Sequence, residues 1–232
     1  MKTTLALALI AGAALPAKAE NLFQRPAGCV LVATVQDDHC AALNYFRCAG
    51  TDPVVFRMEA SYGGGKGEVH TFDANHGGIE ILTPPGGGEF RLRATGDHPR
   101  VAVERGTARK TEQATISRDG KSQQATMVMV YTYSGETRKL AGEVFHRLTY
   151  DSTLTFPQSG SELHTSGSVL FNDRLDLLVN ELEVSDGQGG AGRQIKLKSL
   201  ALDGQKGFGA TKPRFGCHAS GELAVPRRED HA

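Results

Sequence analysis

Apolar and polar side chains alternate one by one along much of this chain. Val54, Phe56, Met58, Ala60 and Tyr62 are interleaved with Val55, Arg57, Glu59 and Ser61, the period of two that a strand shows when one face is dry and the other wet. Gly63-Gly64-Gly65-Lys66-Gly67 then breaks the pattern, and Glu68 to Asp73 restores it as the second arm of a hairpin. Asn75-His76-Gly77-Gly78 reads as the next turn, Ile79 to Thr83 as the next strand, and Pro84-Pro85-Gly86-Gly87-Gly88 as a hard stop. Alternation resumes with Phe90, Leu92 and Ala94 against Arg91, Arg93 and Thr95.

Asp119-Gly120 lies between Thr111 to Arg118 and Lys121 to Tyr133. Asp-Gly suits a two-residue hairpin turn because both central positions need positive φ. The strand that follows is apolar on both faces, with Val128 and Val130 on one and Met127, Met129, Tyr131 and Tyr133 on the other, so it is expected in the middle of the sheet. Lys139 to Tyr150, Leu154 to Phe156, Val169 to Phe171, Leu175 to Val184 and Ile195 to Asp203 are further strand candidates. Leu175, Leu178 and Leu182 also fit a helical stripe, but the flanking turn residues favour a strand. Pro157 to Gly167 is the best candidate for a long loop or subdomain junction, although Ser and Gly there more often mark an exposed turn, and Pro226 to Ala232 reads as a frayed, solvated tail. Near the start, Asp37 and Asp38 followed by Ala41-Ala42-Leu43 suggest a short helix.

These patterns predict an all-β fold: an antiparallel meander forming a curled half-barrel or sandwich, with a short N-terminal helix. The first residues change the picture of where it works. Lys2, the apolar run from Leu5 to Leu15 and Ala17-Lys18-Ala19 before Glu20 have the form of a cleavable signal peptide. Residues 1–19 are therefore read as a leader and residues 20–232 as a single antiparallel β domain. The apolar run spans about eleven residues, short of the roughly 20 that a helix needs to cross a bilayer. Glu20, Arg25 and Pro26 separate it from Ala27-Gly28-Cys29, a spacing unlike that of a lipid-anchored cysteine. The expected location is periplasmic or secreted.

Cys29, Cys40, Cys48 and Cys217 all follow the leader. An even set in an oxidising compartment reads as two disulfides. Three cysteines stand near one end and the fourth near the other, so full pairing must tie the two ends together. A helix after Asp38 would hold Cys40 and Cys48 roughly 12 Å apart, beyond the reach of a direct bridge. Of the three connectivities, this favours Cys29 with Cys48 and Cys40 with Cys217.

Charge and motifs mainly exclude. The whole chain has 26 basic and 26 acidic side chains, and loss of Lys2 and Lys18 with the leader leaves it slightly acidic, which points to neither nucleic acid nor an anionic membrane surface. The glycine run around Lys66 lacks the Ser or Thr of a phosphate loop, and its flanks read as hairpin strands. His39 beside Cys40 and His218 beside Cys217 match no zinc spacing. Gly-x-Ser-x-Gly, His-Glu-x-x-His and Cys-x-x-Cys are absent. Ser185-Asp186-Gly187-Gln188-Gly189-Gly190 reads as a loop in preference to a calcium site. No catalytic residue, metal or cofactor is expected.

What remains is a face. Phe56, Met58 and Tyr62, with Met127, Met129, Tyr131 and Tyr133, place large adaptable side chains at strand period, and methionine accommodates irregular apolar shapes. Core packing accounts for any one of them; together they fit the wall of a ligand site on a curled sheet. Cys48 to Leu82, with Asp52-Pro53-Val54-Val55-Phe56, Glu68-Val69-His70-Thr71-Phe72-Asp73 and Ile79-Glu80-Ile81-Leu82, resembles small exported bacterial proteins of unknown function. The architecture is also similar to the open antiparallel barrels of periplasmic lipoprotein carriers, which implies acyl chains held against a curved sheet. The expectation is a binding or envelope-associated protein that holds a small apolar ligand without chemistry. A module that binds another envelope protein, and a hydrolase whose carboxylates converge only in space, are the alternatives.

Overall fold

The computed structural model describes residues 27–50, 53–63, 67–83, 89–118, 120–185 and 193–217. The proposed leader, the Lys66 loop, the Pro84 to Gly88 break, the Asp186 loop, His218 and the tail lie outside these residues. Twelve strands follow one another in antiparallel order: β1 (Cys29–Asp37), β2 (Ala41–Cys48), β3 (Phe56–Tyr62), β4 (Gly67–Phe72), β5 (Gly78–Leu82), β6 (Glu89–Gly96), β7 (Thr107–Arg118), β8 (Lys121–Leu140), β9 (Glu143–Phe156), β10 (Ser161–Asn172), β11 (Leu177–Ser185) and β12 (Arg193–Ala201). Each pairs with its neighbours in sequence, and β12 returns to pair with β1. The meander is thus a closed barrel and not a half-barrel or sandwich. Closure satisfies the backbone groups that an open sheet would leave exposed on two edges.

The expected N-terminal helix is absent: Ala41–Cys48 is strand β2, hydrogen-bonded between β1 and β3. Asp37 ends β1 and Asp38 opens the hairpin turn, where Asp37 Oδ1 accepts from the His39 N–H at 2.8 Å and Cys40 takes φ 55°. Alternating burial along β2, with Ala42, Asn44, Phe46 and Cys48 buried, is the strand signal that the short Ala-Ala-Leu run hid. The favoured disulfides are nonetheless the ones formed, Cys29 with Cys48 and Cys40 with Cys217. The reason differs: Cys29 and Cys48 face each other across the β1–β2 pair, and an extended β2 separates Cys40 from Cys48 further than a helix would.

Leu177–Ser185 is a strand, as favoured. Pro157 to Gly160 is the exposed turn and not a long loop or junction: β10 begins at Ser161, paired to Phe156. Lys139 to Tyr150 is split at Ala141-Gly142, both at positive φ, into the end of β8 and the start of β9. Arg118 pairs with Lys121 at the end of the β7–β8 ladder; Asp119 of the expected Asp-Gly turn lies outside the described residues.

One helix among the described residues, α1 (Pro99–Arg105), joins β6 to β7. Its signals are local. His98 caps it by accepting from the Arg100 N–H, Pro99 opens the first turn, and Gly106 ends it at φ 88°. Ala102 is buried against Ala108, Tyr131, Leu148 and Phe171. A second cluster joins Ala33 and Val35 of β1 to Phe145, Leu170, Leu177 and Val179. After β12 the chain crosses β1 and β2: Gly209 N donates to Thr34 Oγ1, Asn44 Nδ2 to the Ala210 carbonyl, and Arg214 N to Gln36 Oε1. The Cys40–Cys217 bridge fastens this strap at its far end.

Candidate functional site

An up-and-down barrel of about eight strands is just filled by its own side chains, and each added strand widens it. With twelve strands this barrel keeps a cavity of about 470 Å³, within the range of roughly 300 to 1,000 Å³ typical of small-molecule sites. Most of its wall is apolar. Phe56 and Met58 from β3 and Met127, Met129 and Tyr131 from β8 line it. Tyr62 and Tyr133, grouped with them on strand period, do not. Tyr62 ends β3 and hydrogen-bonds Glu68 across the hairpin. Tyr133 turns its hydroxyl to His146 Nδ1 at 3.0 Å, with the two rings edge to face. Tyr62 leaves the wall at the end of β3 and Tyr133 beside the register shift within β8, and each hydroxyl finds a polar partner there.

Phe72, Ile81, Phe90, Leu92, Leu154 and Leu178 extend the apolar lining. Alternation marked several of them as the dry face of a strand, but only ring closure turns dry faces of distant strands toward one space. A few polar groups interrupt the wall, among them His70, His76, Glu112 and Asn180. Glu112 Oε1 accepts from the Gly78 N–H at 2.9 Å. Beside it Lys110, 2 % exposed, donates to the Asn75 carbonyl at 2.7 Å. Burial pulls the Lys110 ammonium down to about 8, against the attraction of Glu112 and Asp73.

An antiparallel meander brings every second connection to the same end of the barrel. The β4–β5, β6–β7 and β10–β11 connections therefore meet, and they bring together His76, His98 and Asp176. His76 Nε2 lies 3.2 Å and His98 Nε2 3.0 Å from the same oxygen, Asp176 Oδ1. Arg47 Nη2 approaches Asp176 Oδ2 at 3.4 Å. The His76 ring is held flat on Phe56, with centroids 4.2 Å apart and planes 12° apart, and Phe171 meets it edge-on. Burial alone would raise the Asp176 carboxyl; the hydrogen bonds from His76 and His98 outweigh it and hold the group well below the usual carboxylate range. Burial also pulls His76 below the ordinary imidazole value, Asp176 opposing and His98 and Lys110 reinforcing.

Nothing in the sequence linked these three residues. Asn75 to Gly78 was legible as a turn, but its meeting with Asp176 depends on barrel register. Their ligand atoms all lie within 4.8 Å of one another, a compact two-histidine, one-carboxylate set. The tautomers argue for hydrogen bonding instead of metal ligation. His98 Nδ1 accepts the Arg100 N–H at 3.0 Å, so in the neutral ring Nε2 carries the proton and donates to Asp176. Metal on Nε2 would force a proton onto Nδ1 and break the helix cap.

The fold and the site define a class: a closed antiparallel barrel with an apolar interior and a partly buried His-Asp-His cluster at one end. Comparison with known proteins finds no family model, curated protein or solved structure that matches this chain.

Proposed function

We propose that this chain is an exported binding protein that holds an apolar ligand inside the barrel. The observation that carries the reading is the cavity of about 470 Å³ walled by Phe, Met, Ile and Leu side chains. Such a space gains affinity from the water it gives up, at roughly 25 cal/mol per Å² of apolar surface buried. Two disulfides with no free cysteine among the described residues support an oxidising compartment, as does the leader-like N-terminus. No helix among the described residues is long and apolar enough to cross a membrane. A barrel that spans lipid turns apolar side chains outward and commonly keeps a polar lumen. Here β6 exposes Arg91 and Arg93 and turns Phe90 and Leu92 to the cavity, which supports a barrel that works in water.

The test is displacement of a fluorescent naphthylamine dye from the oxidised, exported chain, together with native mass spectrometry of the protein as isolated. Saturable dye binding, released by a medium-chain amphiphile, is expected. Ala114, 4 % exposed and on the cavity wall, offers the control: Ala114→Trp fills the space and should weaken dye binding at least tenfold, with both disulfides still formed. A barrel that binds neither dye nor amphiphile, or whose Ala114→Trp variant binds as well as the parent, would overturn the proposal.

A further inference from the structure

Resting on the reading of the cavity as a ligand site, we propose that its occupant is an uncharged amphiphile with a hydroxyl head, which donates its hydrogen bond to Nδ1 of His76. The His76 ring is held in a fixed position. His76 sits in the tight β4–β5 turn at φ 56°, its N–H bonded to the Asp73 carbonyl and the turn clamped by Asp73 Oδ1 on the Asn75 and Gly77 N–H groups. Phe56 stacks on one side and Phe171 meets the edge. The ring cannot rotate to suit a ligand, so the ligand must suit the ring.

Its two nitrogens have different roles. Nε2 faces Asp176 Oδ1, and an ionised carboxylate only accepts, so Nε2 carries the proton. The neighbours of Asp176, His98 Nε2 and Arg47 Nη2, favour its ionised form. In the neutral ring, which burial favours at His76, Nδ1 is then a bare lone pair. Among the described residues no group of the protein hydrogen-bonds it, although the side chain is only 8 % exposed. No buried side-chain nitrogen or oxygen among these residues lacks a partner, so Nδ1 is not sealed in the packing but opens onto free space. His76 lines the cavity, and that is the space an acceptor so placed would face.

The adjoining wall extends the selection. Glu112 lines the same cavity and is a second acceptor, whereas the nearby ammonium of Lys110 is turned to the Asn75 carbonyl. An anionic head placed at His76 would meet a lone pair and a carboxylate, with repulsion in both contacts. An ester or ketone head has no proton to donate and would leave Nδ1 desolvated and unpaired. A hydroxyl satisfies it. A site built to hydrogen-bond a hydroxyl discriminates strongly against analogues without one, because the buried polar group is then left unpaired.

The experiment compares decanol, decanoate and methyl decanoate as competitors for the naphthylamine dye at neutral pH, on the oxidised exported chain. Decanol should displace the dye at concentrations about tenfold or more below either of the others. His76→Phe removes the acceptor and leaves an aromatic ring beside Phe56; at whatever dye affinity the variant retains, the three competitors should become equivalent to within about threefold. A measurement on the parent protein stands independently of that variant: the Nδ1 resonance of His76 in nitrogen-15 spectra should move on addition of decanol and stay unmoved with methyl decanoate. Intact dye binding with decanoate or the ester as strong as decanol, or no response at Nδ1, would overturn the assignment and leave the cavity reading standing. Failure of the dye itself to bind would remove both.

Discussion

Lys110 carries the clearest physical signature of any single side chain. It is buried beside Tyr131, with its Nζ 6.0 Å from the ring centroid, and folding lowers its pKa from 10.5 to about 8. Between those values the unfolded chain binds a proton that the folded chain does not, so stability rises with pH across that window. The opposite sign holds for Tyr131 and Tyr150, whose hydroxyls burial raises above the ordinary value of 10.0. Above about pH 10 the unfolded chain loses those protons first and stability falls. Denaturant titrations should therefore show stability growing by roughly 2 to 3 kcal/mol from pH 8 to pH 10 and declining beyond. In Lys110→Met the rising limb should vanish and the decline remain. A parent whose stability is flat from pH 8 to pH 10 would contradict the buried ammonium.

At the scale of elements, the least obvious requirement is at Gly167. It pairs with Tyr150 on one side and Glu183 on the other, immediately before a register shift between Ser168 and Val169. A Cβ there would fall on the Leu182 carbonyl oxygen, a backbone atom that cannot swing away. Gly167→Ala should cost about 1 to 3 kcal/mol, measurable as a lower denaturant midpoint, whereas alanine at an open strand position would be nearly neutral. An unchanged midpoint would mean that β10 and β11 do not approach as closely as described. In the sequence this glycine looked like loop composition, because composition cannot distinguish a glycine that frees the chain from one that makes room for a neighbour. The same ambiguity hid β2: Ala-Ala-Leu after two acids has helical propensity, and only pairing with β1 and β3 overrides it. Helix α1 had the reverse history. His98, Pro99 and Gly106 are readable end signals, overlooked because seven residues are too few to show a period.

At the scale of the molecule, the two disulfides should differ in worth. Cys29 and Cys48 are 19 residues apart, Cys40 and Cys217 are 177 apart. In the chain-entropy model these correspond to about 3 and about 5 kcal/mol of constraint on the unfolded chain. Paired Ser substitutions at Cys40 and Cys217 should accordingly lower stability by about 2 kcal/mol more than those at Cys29 and Cys48, read as unfolding free energies. The strap from Leu202 to Cys217 should also become sensitive to protease, since that bridge closes its far end. Equal losses from the two pairs would show that the reduced chain keeps its ends together by other means.

The division between sequence and structure follows from what each can encode. Strand period, turn residues, an even cysteine set and the leader-like N-terminus are local properties, and they were enough for an antiparallel all-β chain, for most strand positions, and for a bridge between the chain ends. Closure was not local. Whether a meander stops as a half-barrel or returns on itself depends on the summed twist and tilt of all the strands, which no window of residues contains. With closure came the cavity, the departure of Tyr62 and Tyr133 from its wall, and the meeting of His76, His98 and Asp176, which stand far apart in sequence and share an end of the barrel only because alternate turns of an antiparallel ring face the same way.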